Sequence, residues 1–276
     1  MPPQRPQRHN ALAAFSGGAG IGTLGGLIGL GGAEFRLPLL IGLFGFGALE
    51  AVILNKALSL VVVSTALPFR AAVVPFSQIF THWNVIVTLL SGSVAGAWCG
   101  AGWATQIQPQ TLYKVIAALL VCIAGILLLG HGSPSQHLPL NGWALTCTGA
   151  VAGVGIGVVA SLLGVAGGEL LIPTIVILFG ADLKLAGSLS LAVSLPTMVT
   201  GFTRYSQDQS FQVIRFQWRF IAIMAAGSMV GSYLGGKLLG FVPTSVLLPL
   251  LAAILLVSAV KVWRHSVEFD SSREWS

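Results

Sequence analysis

Apolar residues fall along this chain in long unbroken blocks, not at the three-to-four-residue intervals of an amphipathic helix. Blocks at 11–30, 51–69, 83–105, 112–129, 142–163, 185–203, 220–240 and 244–262 are each long enough to cross a hydrocarbon core of roughly 30 Å as a helix. Two shorter blocks, 35–46 and 170–180, cannot cross alone at about 1.5 Å per residue. The pattern predicts an all-α polytopic membrane protein with about eight full transmembrane helices plus two short broken or re-entrant segments.

The pattern also repeats. Shifted by 135 residues, Gly29-Leu30-Gly31-Gly32-Ala33-Glu34-Phe35-Arg36-Leu37-Pro38 falls on Gly164-Val165-Ala166-Gly167-Gly168-Glu169-Leu170-Leu171-Ile172-Pro173. At the same shift Gly18, Gly20, Ile21 and Gly22 meet Gly153, Gly155, Ile156 and Gly157. Further on, Ser59 meets Ser194, Trp83 meets Trp218, Gly92-Ser93 meets Gly227-Ser228, and Gly96 meets Gly231. The chain therefore divides into a tail at 1–10, a first transmembrane repeat at 11–129, a loop at 130–141, a second repeat at 142–262 and a tail at 263–276. Internal duplication is a frequent transporter plan, with the substrate near the bilayer midplane where the copies meet.

Composition strengthens this picture. Of 276 residues, 55% are hydrophobic and only 8% charged, where a soluble domain carries roughly a quarter charged. The first block follows Arg5, Arg8 and His9, yet its pattern recurs in mid-chain, so it belongs to the structure and not to a cleaved signal. The formal charge of +6 lies mostly in termini and loops and suits an anionic lipid surface; no soluble domain is present to hold nucleic acid. Arg5 and Arg8, the Arg204/Arg215/Arg219 group, and Arg264 with Arg273 put both termini in the cytoplasm, while Arg70, Lys56 and Lys114 divide over the loops between. The short blocks leave two counts open: five crossings per copy, with inverted repeats, or four, with parallel ones.

Candidate chemistry is sparse. Cys99, Cys122 and Cys147 lie inside apolar blocks without ligand spacing, and His82, His131 and His137 have no acidic or thiol cluster beside them, so no metal, cofactor or disulfide is expected. There is no nucleophile triad, P-loop or dinucleotide fingerprint, and no enzyme activity is expected. The glycine motifs stand between a long block and a short one, where a new helix start inside the membrane presents free N–H groups to an anion; Gly31, Gly32, Gly167 and Gly168 are the candidate contacts. Glycines at such a place also serve plain close packing.

Glu34 and Glu169 are acids at equivalent positions in apolar surroundings. They read either as proton- or ion-coupling groups or as first-turn acids stabilised by their own helix dipoles. Arg36 and Lys56 lie at comparable depth and have Leu171 and Leu191 as counterparts, so the positive charge is one-sided and an anion belongs nearer the first copy. Ion pairs of Glu34 with Lys56, or Glu169 with Arg36, are the competing account. Ser59 and Ser194 complete the candidate substrate set, unless they bond only within their own helices.

The doubled motif, with Pro at the same place in both copies, resembles the TauE/SafE family of membrane permeases, also called the 4-toluene sulfonate uptake permease family. The likeness runs from about residue 15 to residue 262. It implies a duplicated bacterial inner-membrane permease, multi-pass, that moves sulfite, a sulfonate or a related organosulfur anion by alternating access, with lipids and that solute as partners and room for a homo-oligomer. The family pattern is roughly Gly-hydrophobic-Gly-Gly-Gly, then apolar residues and Pro. Each copy here has Ala for one glycine, and Glu34 and Glu169 stand where many members carry an apolar residue. Two readings compete with a sulfur anion: a different solute bound through the paired acids, and a non-transporting scaffold or accessory subunit.

Overall fold

The computed structural model describes residues 10–28, 32–71, 75–129 and 142–238, with residues 253, 256–257, 259–260 and 262–264 beyond. The described residues are helical throughout their ordered elements: α1 (Ala11–Ile28), α2 (Ala33–Gly42), α3 (Ala48–Ala71), α4 (Phe76–Thr81), α5 (Trp83–Gln106), α6 (Pro109–Leu129), α7 (Trp143–Leu163), α8 (Gly168–Phe179), α9 (Leu183–Tyr205), a 3-10 turn (Gln209–Phe211), α10 (Gln212–Phe216) and α11 (Trp218–Leu238). Seven long apolar blocks coincide with α1, α3, α5, α6, α7, α9 and α11, and the two short ones with α2 and α8. The eighth, 244–262, falls largely outside the described residues. By length and composition alone, α5, α7 and the Leu185–Tyr205 stretch of α9 can each cross a bilayer, and α10 with α11, bent by 69° at their junction, makes a fourth candidate. The small helices α4 and α10 and the 3-10 turn carry no apolar block of their own and are additions of the tertiary structure.

This is an all-α membrane protein, and its surface matches that solvent. Trp83, Trp103, Trp143 and Trp218 are exposed at helix ends, where an indole sits at the headgroup boundary. Cys99, Cys122 and Cys147 are free and exposed; a thiol is apolar enough to face lipid, so membership of an apolar block did not imply an inner position.

Two glycine-mediated crossings hold the bundle. A methyl added at Gly18 would strike the Met224 carbonyl, one at Gly22 that of Ser228, one at Gly227 that of Phe15, and one at Gly231 that of Ala19. Both sets of numbers rise together, so α1 and α11 run parallel. In the second crossing, Gly92 meets the Ala150 carbonyl, Gly96 that of Val154, Gly153 that of Leu89 and Gly157 that of Ser93, so α5 and α7 are parallel too. Without water to drive association, such helices adhere by van der Waals contact, which demands backbones this close.

Helix directions follow from contacts of the same kind. The hydroxyls of Ser93 and Thr197 meet at 2.7 Å, and Arg204 lies over Gly102, so α9 runs with α5 and therefore with α7. Val52 abuts Gly164, Asn55 reaches Leu163 and Lys56 reaches Ala160, so α3 runs against α7. The short α8 starts opposite Ile156 and Ala160, past the middle of α7, and returns until Phe179 packs on Gly149. Likewise α2 comes back along α1 until Leu39 and Phe44 reach Gly17.

Candidate functional site

The two glycine motifs become the starts of two half-helices. Gly32 (φ 68°) precedes α2 and Gly167 (φ 80°) precedes α8, both left-handed, where any side chain would strain the backbone. Before α8, α7 closes on a left-handed Gly164, with the Gly164 N–H donating to Ser161 O (3.1 Å) and the Val165 N–H to Ala160 O (2.9 Å). No side chain caps either half-helix; instead the first-turn acids fold back, and Glu34 and Glu169 each accept from their own backbone N–H. Of the four candidate glycines, Gly32, Gly167 and Gly168 lie at these starts, and Gly31 lies outside the described residues.

The fold brings the two acids together. Glu34 is 2% exposed and Glu169 9%, and their carboxyl groups lie within hydrogen-bonding reach of each other. The N-termini of α2 and α8 therefore converge on one buried point, each presenting the partial positive charge of a helix start.

The cations diverge. Arg36, fully buried, donates from Nη1 to Ser59 Oγ (3.2 Å) and from Nη2 to Ser228 Oγ (3.4 Å), joining α2, α3 and α11. Lys56 instead turns to the end of α7, where Nζ donates to Ala160 O (3.1 Å) and Ser161 Oγ (3.4 Å). A cation is favourable there because the last carbonyls of a helix carry partial negative charge. Lys56 has no acid partner among the described residues, so the expected alternative of an ion pair with Glu34 is not what forms. Ser194 donates to Ala166 O (2.7 Å), tying α9 to the second glycine motif, so its bond runs between segments and not within its own helix.

Sequence reasoning overlooked Asn55. Its Nδ2 donates to Ala33 O (3.0 Å) and Leu163 O (2.9 Å), so one amide holds both glycine motifs at once. The available signal was an amide in the middle of an apolar block, beside a lysine already singled out. Ser228, Ser93 and Thr197 were also not assigned a role. Ser228 and Ser93 are counterparts in the repeat, and where Arg36 fills one half with a guanidinium, the Ser93–Thr197 hydroxyl pair occupies the other. Tyr205 OH donates to Ser161 O (2.9 Å) and closes the same layer from α9.

Together these contacts form a buried polar layer on two converging half-helices. A family model described as Sulfite exporter TauE/SafE matches residues 1–127 and 69–262. No curated protein and no solved structure matches the chain. Because the two family matches together cover nearly its whole length, the chain belongs to the TauE/SafE family of sulfite exporters, which are membrane transporters.

Proposed function

We propose that the chain is a secondary permease for a small anion, sulfite, a sulfonate or a related organosulfur compound, that works by alternating access between two inverted repeats. The observation that carries this reading is the buried Arg36 guanidinium held by Ser59 and Ser228 on helices from both halves. An arginine at membrane depth costs about 3 kcal/mol on insertion scales, and the second half does without one, having Leu171 at the matching place. Packing alone therefore gives no reason to keep it. A hydroxyl that accepts from a guanidinium still has its own O–H to donate, so Arg36, Ser59 and Ser228 together offer charge and donors suited to an oxyanion. Gly32, Gly167 and Gly168 at the half-helix starts, Gly31 in the same motif, and Lys56 and Ser194 on the surrounding helices complete the site. Glu34 and Glu169 couple movement of the solute to protons.

Helix directions support the inverted arrangement. Since α3 runs against α7 while α9 runs with it, the matched helices α3 and α9 point opposite ways. Each of α2 and α8 then counts as a crossing, giving five passages in the first repeat: α1, α2, α3, α5 and α6. The starts of α1 and α11 and the end of α9 share one end of the bundle, so Arg204, Arg215 and Arg219 lie at that end. The positive-inside rule makes that end cytoplasmic in a bacterial inner membrane.

Uptake into proteoliposomes is the test, comparing sulfite, thiosulfate and sulfonates with sulfate and simple carboxylates at two pH values. Transport of a sulfur anion is expected, and Arg36→Leu is expected to lower it at least tenfold. Transport that ignores Arg36→Leu, or a cationic cargo as the sole hit, overturns the reading; the second outcome favours a solute bound through the paired acids.

A further inference from the structure

We infer that Glu34 and Glu169 hold one proton between them and so form a single exchangeable proton site at the meeting point of the two half-helices. Both side chains are at least nine-tenths buried. Glu34 Oε1 and Glu169 Oε1 find no donor among the described residues, yet the two carboxyl groups are within hydrogen-bonding reach of each other. A carboxylate only accepts. Two carboxylates at this spacing in a buried site repel, and their contact becomes a hydrogen bond only when one of them carries a proton. The orphaned oxygens and the mutual contact thus have one common explanation, a proton lying between them.

The surroundings leave that role to the pair itself. Arg36, on the helix of Glu34, acts on Glu34 electrostatically. Lys56, on α3, is turned to the last turn of α7. Neither α1 nor α7 contains a charged residue. Release of the proton breaks one O–H bond, passes the proton to water and leaves two carboxylates, which raises the negative charge of the pair by one unit. A protonated pair binds α2 to α8; a deprotonated pair pushes them apart, and their like-charged helix starts repel as well. The proton is thereby the fastener between one half of the molecule and the other. It also removes one of two negative charges beside the proposed anion site, which reconciles acids in the motif with an anionic cargo. This last role rests on the reading given under Proposed function; the proton site does not.

Infrared spectroscopy of the purified full chain in bilayers tests the site directly, at pH values where solvent-facing acids are ionised. The wild type is expected to show a protonated-carboxyl band that disappears as pH is raised. E34Q and E169Q are each expected to lose the band completely, with nothing further lost in the double variant, because the remaining carboxylate accepts from the glutamine amide. Half the band surviving in each single variant would mean two separate protons and would overturn the proposal. So would absence of the band from the folded wild type, a measurement that needs no variant to fold, or its removal by sodium at fixed pH, which would mark a metal-cation site. Should the infrared result hold while uptake ignores an imposed pH gradient, the coupling reading fails and the proton site stands.

Discussion

Asn55 shows how much a single amide can carry in a bilayer. Its two bonds to Ala33 O and Leu163 O join segments far apart in sequence, and the amide is fully buried. Asn55→Ala removes both and leaves two carbonyls without that donor, each worth about 1–3 kcal/mol when buried. The expected outcome is a loss of roughly 2–4 kcal/mol, read as an earlier thermal unfolding in detergent, with weakened transport even though Asn55 need not touch the solute. An Asn55→Ala protein as stable as wild type would remove the amide from its clamp role. Arg36 and Lys56 make the complementary point. From the sequence they are two cations of similar depth whose counterparts in the second repeat are leucines; their divergence, one toward serine hydroxyls and the other toward helix-end carbonyls, depends on which helices lie opposite.

Among the helices, the glycine crossings determine which substitutions the bundle tolerates. Gly96 and Gly231 sit directly on the carbonyls of Val154 and Ala19, whereas Gly20 and Gly155 have open space where a methyl would go. Gly96→Val and Gly231→Val must push two backbones apart, an overpacking cost of at least about 1–3 kcal/mol. Gly20→Ala and Gly155→Ala are expected to be neutral or slightly stabilising, since alanine favours helix by about 1 kcal/mol over glycine. Monodispersity and thermal unfolding in detergent separate the two groups, and equal behaviour of all four would contradict the packing described. The glycine periodicity was visible in the chain, but the partner was not. Pairing α1 with α11 joins elements separated by most of the chain, and pairing α5 with α7 joins one repeat to the other across α6.

For the whole molecule, the directions of the helices yield a topology that labelling can check. The turn after α9, holding Ser206, and helix α4, holding Ser77, are both exposed, and on the proposed inverted plan they face opposite sides of the membrane. With Cys99, Cys122 and Cys147 replaced, Ser206→Cys should react with an impermeant thiol reagent only from the cytoplasmic side and Ser77→Cys only from the outside. Labelling of both from one side would reverse the crossing count and with it the inverted arrangement.

Hydrophobic blocks by themselves determined that this chain is helical and lives in a membrane, because apolar blocks of that length have lipid as their solvent and, lacking the alternation of barrel strands, satisfy their backbone within a helix. They also marked the two short helices, since length against bilayer thickness is arithmetic. The glycine and glutamate motif located the half-helix starts for a local reason as well, left-handed backbone at Gly32 and Gly167. What only the tertiary structure decided is everything that depends on who stands opposite: the meeting of Glu34 with Glu169, the turning of Lys56 to α7, the clamp at Asn55, and the opposed directions of α3 and α9. Those are relations between segments that lie a hundred or so residues apart, and lipid, being equally apolar on every side, leaves no mark in the sequence pattern to say which helix face meets which.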